Sequence, residues 1–347
     1  NKAGLIETVG SGEPRIDFKD NTKGALKLEP TRSNAITNSE TFGSTGWGFV
    51  TTGAVIAPIV TNDYATSPDG TQNAQRIQFD LNGGTTSSDR TVIRQSIGGQ
   101  NDWFLSVWMK STNGAEQKIL WHTTDDSNET TITGEWQRFT FSRNGVLNGW
   151  AGLGLRGGVS ADDTADILVY GFQAEQGSYA TSYIPTSGSA VTRVAERSVT
   201  QTTPSDIINS SEGVFYAEMS ALADDNLNRY ITISDGTTSN RVALRFNSSN
   251  QISGFVTSGT SQASFSYSVN ILDNHKVAIK YKENDFSLWV DGVEVLTDNV
   301  GVTPIGLNLL RFEDAVDNGQ YFHGNLKDLR VYNTALTDSE LQQLTTI

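Results

Sequence analysis

The sequence predicts an all-β protein made of two β-sandwich (jelly-roll) domains. Charged residues make up only 18% of the chain, whereas Gly, Ser, Thr and Asn are plentiful, and few segments have the Ala/Glu/Lys/Leu content of helices. Short apolar runs with strand alternation recur along the chain and are separated by Gly, Asn, Asp and Ser. The length of 347 residues exceeds what one hydrophobic core normally fills, so two domains are expected.

Composition and charge exclude several classes of function. The formal net charge is −14 and no Lys/Arg cluster is present, which argues against a nucleic-acid partner. The chain has no cysteine, so neither disulfides nor thiolate metal sites are available. No apolar run approaches the roughly 18 residues that membrane insertion needs, so we expect no membrane insertion.

The pattern divides the chain into four segments. They are an N-terminal connector at 1–32, a first sandwich at 33–190, a linker at 191–206 and a second sandwich at 207–347. Period-two spacing of apolar residues in the connector predicts a hairpin, with Ile16 on one strand and Leu26 and Leu28 on the other. A hairpin of this size does not fold alone, so we expect it to pack on a neighbour or on copies of itself.

Strand alternation in the first sandwich separates a core face from an opposite face. Leu105, Val107 and Met109 share one side of their strand, so Trp108 lies on the other. The same alternation places Arg138, Trp150 and Arg156 on this opposite face, where they form a mixed aromatic and basic set with Trp108. A flat ring can stack on the apolar face of a sugar while nearby polar groups bond its hydroxyls, so this set is our candidate glycan site. The alternative is that the tryptophans fill a core or a trimer interface.

Several motifs of the first sandwich belong to one recognisable pattern. They are Phe-Leu-Ser-Val-Trp-Met-Lys at 104–110, Glu-Trp-Gln-Arg-Phe at 135–139 and Gln-x-Glu-x-Gly-x-x-x-Thr-x-Tyr-Ile-Pro-Thr at 173–186. Together they resemble a jelly-roll carbohydrate-binding module of bacteriophage tail and fibre proteins, over about residues 13–193. The resemblance implies a non-enzymatic virion protein, located outside the cell and assembled as a homotrimer.

The C-terminal sequence predicts the only helix. Asp291-Gly292 is a two-residue hairpin signal. Thr337 and Glu340 form a capping box, so a short helix begins there. The stretch from Phe322 to Leu341 is similar to the end of concanavalin A-like and laminin-G-like lectin domains, and the resemblance covers about 207–347.

Further candidate residues lie on strands and acidic loops. Trp289 is a second candidate glycan platform, with surface packing as the alternative. Lectin-like folds often hold a structural Ca²⁺, and carboxylates suit this ion. The candidate ligands are Glu40, Asp235, Asp314 and Asp317. The alternative is that they are ordinary solvated loop carboxylates.

Catalysis has little support in the sequence. His122, His275 and His323 have no partner constellation, and neither Gly-x-Ser-x-Gly nor His-Glu-x-x-His occurs. A glycosidase needs two carboxylates at a defined separation, and the sequence indicates no such pair. We therefore expect no enzymatic activity.

The leading interpretation is a phage tail or head fibre protein whose lectin-like domains bind host-surface or environmental glycans. One alternative is the glycan-binding region of a secreted polysaccharide-degrading enzyme. The other is a purely structural fibre spacer.

Overall fold

The computed structural model describes residues 1–10, 12–19, 22–99, 102–123, 128–143, 149–197, 201–202, 207–317 and 319–347. The predicted fold class is confirmed, because within these ranges the chain is built of β-strands with one short helix at its C-terminal end. Two compact units are present. The N-terminal unit comprises residues 3–8 and 31–194, and the C-terminal unit comprises residues 1–2, 9–30 and 195–347.

The strands are numbered in chain order. The first thirteen are β1 Ile16–Asp17, β2 Ala25–Leu28, β3 Arg32–Asn34, β4 Trp47–Thr52, β5 Ile56–Ala65, β6 Ala74–Asp80, β7 Arg90–Ser96, β8 Trp103–Ser111, β9 Gln117–His122, β10 Asn128–Ile132, β11 Gln137–Arg143, β12 Trp150–Arg156 and β13 Thr164–Gln176. The others are β14 Val191–Arg193, β15 Gln201–Thr202, β16 Glu212–Ala221, β17 Arg229–Ser234, β18 Asn240–Phe246, β19 Ile252–Ser258, β20 Thr260–Tyr267, β21 His275–Lys282, β22 Phe286–Val290, β23 Val293–Asp298, β24 Leu309–Arg311 and β25 Gly324–Tyr332. Helix α1 spans Asp338–Thr345.

The N-terminal unit is a sandwich of two five-stranded sheets. Sheet I has the order β10-β9-β12-β7-β4, and sheet II has the order β11-β8-β13-β6-β5. Their inner faces share one apolar cluster, to which sheet II contributes Val107 and Met109 and sheet I contributes Leu153 and Leu155. The predicted alternation along β8 and β12 is confirmed, because these four side chains are fully buried.

The segment after β13 is held to the N-terminal unit by buried side chains of that strand. The backbone N–H of Ile184 donates to Gln173 Oε1 at 2.6 Å. The backbone N–H of Thr181 donates to Glu175 Oε2 at 2.9 Å. Gln173 and Glu175 are both fully buried, so the polar residues of the Gln-x-Glu-x-Gly motif supply acceptors to a chain segment that lies outside the sheets.

The C-terminal unit is also a sandwich. Sheet III has the order β1-β2-β25-β16-β21-β22-β23, and sheet IV has the order β15-β24-β17-β18-β19-β20. The hairpin at 16–28 is an integral part of sheet III, because β2 pairs with β25 through Leu26 opposite Leu326. The residues predicted as a connector therefore contribute two strands to a sheet whose other strands begin near residue 212.

Helix α1 closes the C-terminal unit as the sequence indicates. The Thr337 side chain accepts a hydrogen bond from the Glu340 N–H, and Glu340 bonds back to the Thr337 N–H, which completes the predicted capping box. The predicted two-residue turn is also confirmed, since Asp291 and Gly292 have φ values of 51° and 82°.

The segment predicted as a linker pairs with strands at both ends. Strand β14 is antiparallel to β3 in the N-terminal unit. Strand β15 is antiparallel to β24 in the C-terminal unit. Residues 198–200 and 203–206 of this segment lie outside the described ranges. Within those ranges, no helix is long and apolar enough to span a membrane.

Candidate functional site

The tryptophans predicted to share one face lie on different sheets. Trp108 is on β8 in sheet II, where it is paired with Arg138 on β11. Trp150 and Arg156 are on β12 in sheet I. The predicted single platform is therefore wrong. Alternation along a strand shows which residues face the core, but two outward-facing residues of a sandwich can lie on opposite sides of the molecule.

The Trp108 ring is surrounded by side chains of its own unit. The Arg138 guanidinium carbon lies 4.5 Å from the centroid of the ring, and the Tyr183 ring packs edge-on at 5.5 Å. Arg138 also donates to the backbone carbonyl of Thr181 at 2.8 Å and to Ser106 Oγ at 2.8 Å. We call these five residues the exit clamp. They fasten the segment after β13 onto sheet II. Trp108 and Arg138, which were predicted to bind glycan, therefore have a structural role.

Trp150 is covered in a similar way. The guanidinium carbon of Arg94 lies 3.7 Å from its ring centroid, which is a close cation–π stack. Arg156, at the other end of β12, donates from Nε to the backbone carbonyl of Ser87 at 2.9 Å. Both predicted residues thus contact groups of their own unit.

Trp289 does not form an exposed platform. Its side chain is only 6% exposed and packs in a cluster with Val214, Tyr216 and Leu341 of helix α1. The alternative of a packing role is the correct one. The outward parity of Trp289 on β22 was predicted correctly, but α1 covers that face of sheet III.

Glu40 accepts hydrogen bonds from two tyrosines. The Tyr183 hydroxyl donates to Glu40 Oε1 at 3.0 Å. The Tyr170 hydroxyl lies 3.2 Å from the same oxygen and 3.0 Å from Asp69 Oδ2. Burial, and then the charges of Glu40 and Asp69, raise the pKa of Tyr170 well above its usual value. This tyrosine is therefore a permanent hydrogen-bond donor between two carboxylates.

Asp69 organises the turn before β6. It accepts from the Thr71 N–H at 2.7 Å, from the Thr71 hydroxyl at 2.8 Å and from the Asn73 amide at 2.9 Å. Partial burial acts to raise the pKa of Asp69, but these hydrogen bonds together with one from Ser67 lower it to about 2. The carboxylate is thus ionised and fully used by the turn.

The other predicted Ca²⁺ ligands have protein partners. Asp235 accepts from Thr237 and Asn240 within its own loop. Asp314 forms an ion pair with Arg241, and Asp317 lies 3.5 Å from a guanidinium nitrogen of Arg197.

Across the residues that the structure describes, no three His, Cys, Asp or Glu side chains come together as a metal-binding group. Ca²⁺ prefers six to eight converging oxygens. Ca²⁺ binding at the predicted carboxylates therefore stays a prediction.

Two of the three histidines make contacts that hold their own unit together. His275 Nδ1 lies 2.6 Å from Asp291 Oδ2, and its Nε2 lies 2.9 Å from the backbone carbonyl of Asn270. Both ring nitrogens are therefore used to fasten the start of β21. His122 Nε2 lies 3.1 Å from an Arg94 nitrogen, beside the covered Trp150.

An exposed ring that sequence analysis missed lies at the edge of the N-terminal unit. Phe49 on β4 is 48% exposed and borders a groove of about 730 Å³. The groove runs beside Val60 and Asn62 of β5, so it lies where the edge strands of sheets I and II approach each other. We call it the Phe49 groove. Its lining residues are Asn38, Thr41, Phe42, Gly43, Ser44, Thr45, Phe49, Val60, Asn62, Ser187 and Gly188.

The Phe49 groove combines an apolar floor with neutral polar walls. None of its lining residues is ionisable. The Asn38 amide is fixed, since its Nδ2 donates to the Thr45 carbonyl at 2.6 Å and its Oδ1 accepts from the Gly188 N–H at 2.9 Å. Asn62 is exposed, and within the described ranges its amide has no hydrogen bond. The volume falls within the 300–1,000 Å³ typical of small-ligand sites.

The sequence held a signal for this site. Trp47, Phe49 and Thr51 alternate with smaller or β-branched residues, which is a strand pattern. Trp47 is buried, but Phe49 on the same side is not, because β4 is the outermost strand of sheet I. Whether an inward-facing ring lies at an open edge depends on sheet order, which the sequence did not provide.

Comparison with known families supports the lectin-like fold of the C-terminal unit. Residues 217–342 match the model of the concanavalin A-like lectin/glucanases superfamily. The C-terminal unit therefore contains a concanavalin A-like β-sandwich. The match begins inside β16 and ends inside α1, so it includes most of the two sheets and the helix.

The solved structures that match this chain are distant. The carbohydrate-binding module CBM40 of the Ruminococcus gnavus IT-sialidase is 15% identical with a TM-score of 0.35, over 40% of this chain and 84% of that one. Domains LG4-5 of the mouse laminin alpha1 chain are 10% identical with a TM-score of 0.30, over 88% and 94%. The CBM22-1-CBM22-2 tandem of Paenibacillus barcinonensis Xyn10C is 14% identical with a TM-score of 0.28, over 94% and 100%. No curated protein sequence matches this chain.

Proposed function

We propose that the protein is a non-catalytic glycan-binding protein and that the Phe49 groove binds a neutral saccharide. The observation that carries this proposal is an aromatic ring, nearly half exposed, in a groove whose other lining groups are the apolar side chains of Phe42 and Val60, amides, hydroxyls and backbone. A pyranose presents one apolar face and a rim of hydroxyls. Phe49 supplies the apolar contact, and the Asn62 amide supplies both a donor and an acceptor.

The absence of ionisable side chains in the lining selects the ligand class. Transfer of a charged ligand into a groove without a compensating charge carries a desolvation cost. A neutral sugar meets no such cost, because hydroxyls exchange hydrogen bonds with water for hydrogen bonds with amides. The groove therefore favours neutral sugars over acidic ones.

The test compares two equally exposed rings. Phe49→Ala is expected to weaken binding at least tenfold to the neutral polysaccharides that the full chain recognises on an array of xylan, β-glucan, mannan and dextran. Tyr64→Ala is the control, because Tyr64 is 47% exposed on the neighbouring strand β5 but does not line the groove. Unchanged binding by Phe49→Ala, with both variants folded by circular dichroism, would contradict the proposal.

We further propose that the chain is a tail or head fibre component of a phage virion. Its support is the resemblance of the motifs at 104–110, 135–139 and 173–186 to modules of phage fibre proteins. A homotrimer would present three copies of each site, and weak single sites would then gain avidity. Mass photometry of the purified chain tests this assembly, with trimers expected and monomers alone contradicting it.

A second candidate is the glycan-binding region of a polysaccharide-degrading enzyme. The match to a superfamily that includes glucanases favours it. The two candidates predict different results with purified phage particles. Antibody raised against this chain is expected to label the fibres of the virion under the first proposal, and labelling of secreted protein alone would favour the second.

A further inference from the structure

The outer face of sheet IV carries a cluster of arginines around aromatic rings. On β18, Val242, Leu244 and Phe246 enter the core, so Arg241, Ala243 and Arg245 face outward. The strand register places Tyr230 opposite Arg245, Thr232 opposite both Ala243 and Arg311, and Phe255 opposite Ala243. We call this group the arginine face. Its members are Tyr230, Thr232, Arg241, Ala243, Arg245, Phe255 and Arg311.

Two guanidinium groups converge on one ring. The Arg241 guanidinium carbon lies 4.8 Å from the centroid of Phe255, and that of Arg245 lies 5.2 Å from the same centroid. Arg245 also lies 5.1 Å from the Tyr230 ring. Ala243 lies between the two arginines on the same face of β18, and its side chain is a single methyl group. The result is a buried cluster of Tyr230, Ala243 and Phe255 that is covered by the two guanidinium groups.

The charges of this face are not balanced. Arg241 is paired with Asp314, and Arg311 Nη1 lies 2.9 Å from Glu313 Oε1. Arg245 donates to the Tyr230 hydroxyl and, at 3.3 Å, to Ser253 Oγ. In the part of the chain that the structure describes, it contacts no carboxylate. One positive charge thus lacks a counter-ion, in a chain whose net charge is −14.

Donor atoms on the same face also lack acceptors. Arg241 Nε, Arg311 Nε and the Thr232 hydroxyl are buried and have no hydrogen-bond partner among the described residues. Thr232 is fully buried, and the register places it next to Arg311. A buried polar atom without a partner costs roughly 1–3 kcal/mol. These three atoms and Arg245 make the face rich in hydrogen-bond donors.

We propose that the arginine face binds the carboxylate of an acidic sugar residue. A guanidinium presents parallel N–H donors that match a carboxylate bidentately. A carboxylate carries a single negative charge, which equals the one unpaired positive charge of the face. The buried rings of Tyr230 and Phe255 lie against the Arg245 guanidinium and hold it on this face. This site lies on the C-terminal unit and does not depend on the Phe49 groove.

The experiment uses the full chain and polymers with different anionic groups. Polygalacturonate is the main probe, with alginate and hyaluronate as further carboxylated polymers. Methyl-esterified polygalacturonate has the same backbone without the charge, and dextran sulfate supplies a different anion. Arg245→Gln removes the unpaired charge, and Arg245→Lys keeps the charge but removes the planar pair of donors.

Arg330→Gln is the matched control. Arg330 also stacks on a tyrosine, 5.6 Å from the Tyr216 centroid, but it has a carboxylate partner in Asp328. The melting temperature of each variant shows that it is folded, and the Arg245→Lys variant keeps the test decisive if Arg245→Gln proves unstable.

We expect the wild-type chain and Arg330→Gln to bind a carboxylated polymer equally. Arg245→Gln is expected to bind it at least tenfold more weakly, Arg245→Lys several-fold more weakly, and methyl esterification to remove most of the affinity. Four results would overturn the proposal. They are no binding to any carboxylated polymer, unchanged binding by Arg245→Gln, equal binding to the methyl ester, and equal or tighter binding of dextran sulfate. Phe49→Ala is expected to retain carboxylate binding, so failure of the neutral-sugar proposal would be seen separately.

Discussion

The two units each stack an arginine on aromatic rings, and the difference between the two arrangements lies in the partners of the guanidinium. In the N-terminal unit, Arg138 lies over Trp108 and donates to the Thr181 carbonyl and Ser106 Oγ. In the C-terminal unit, Arg245 lies beside Tyr230 and Phe255, and among the described residues it donates only to hydroxyl groups. The first arginine fastens a chain segment, whereas the second keeps its charge available.

The comparison teaches that an aromatic–arginine pair on a sheet is not by itself a binding site. A guanidinium that donates to the backbone of a covering segment is structural. A guanidinium with no carboxylate partner and with unsatisfied donors nearby has an unmet electrostatic demand. The residue types are the same in both units, so only the contacts distinguish them.

The two proposed sites also differ in the charge that they present to a ligand. The Phe49 groove has no ionisable lining residue, while the arginine face has an unpaired cation. One chain would thus recognise neutral and acidic sugars at different places. Such a division suits a polymer that contains both kinds of residue.

The largest loss of folding stability is expected for the buried tryptophan Trp289. Trp289→Ala should destabilise the C-terminal unit by about 3–5 kcal/mol, because it leaves a large cavity beneath Leu341. Urea unfolding with hydrogen exchange of peptides from each unit measures this. Val293→Ala, at a position 57% exposed on the adjoining strand, should change little. A loss below about 1 kcal/mol for Trp289→Ala would show that the ring is not part of the core.

A smaller effect is expected in the exit clamp. Arg138→Met should destabilise the N-terminal unit by about 2 kcal/mol, because the fully buried Ser106 and the Thr181 carbonyl lose a charged donor. Lys110→Met, on the same strand as Trp108, is the control, since its ammonium lies 5.5 Å from the Trp136 ring and has no hydrogen bond to any residue in the described ranges. If Arg138→Met instead weakened glycan binding at unchanged stability, the contrast between Arg138 and Arg245 would be wrong.

The smallest effect concerns the turn at Asp69 and depends on pH. The pKa of Asp69 is lowered to about 2 from 3.8, so its contribution to stability is present above about pH 4 and is lost as the pH falls towards 2. Asp69→Asn should cost about 1 kcal/mol at pH 7 and should remove this part of the acid dependence. Melting temperatures between pH 7 and pH 2.5 measure both. Asp63→Asn, at an exposed position with φ of 50° that asparagine tolerates, should follow the wild type, and a matching loss there would contradict the assignment.

Local features of the fold could be predicted from the sequence because local physics determines them. The capping box at Thr337, the turn at Asp291 and the inward parity of Val107 and Met109 each depend on residues a few positions apart. Two-residue periodicity then gave the all-β class. These features do not depend on which strands become neighbours.

Features that depend on non-local pairing could not be predicted in this way. Leu26 pairs with Leu326, three hundred positions away, and no local pattern indicates that partner. Trp108 and Trp150 have the same outward parity but lie on opposite sheets. The carboxylate of Asp314 suggested a metal ligand until its partner Arg241 on another strand was seen. The candidate sites are of this kind, since both depend on sheet order and register.

The most direct test of two separate sites is a crossed binding experiment. The wild type, Phe49→Ala, Arg245→Gln and the double variant are each titrated with one neutral and one carboxylated polymer. We expect Phe49→Ala to lose only neutral binding, Arg245→Gln to lose only carboxylate binding, and the double variant to lose both. If either single variant weakened both polymers equally while remaining folded, or if neither variant weakened either polymer, the separation of the two sites would be contradicted.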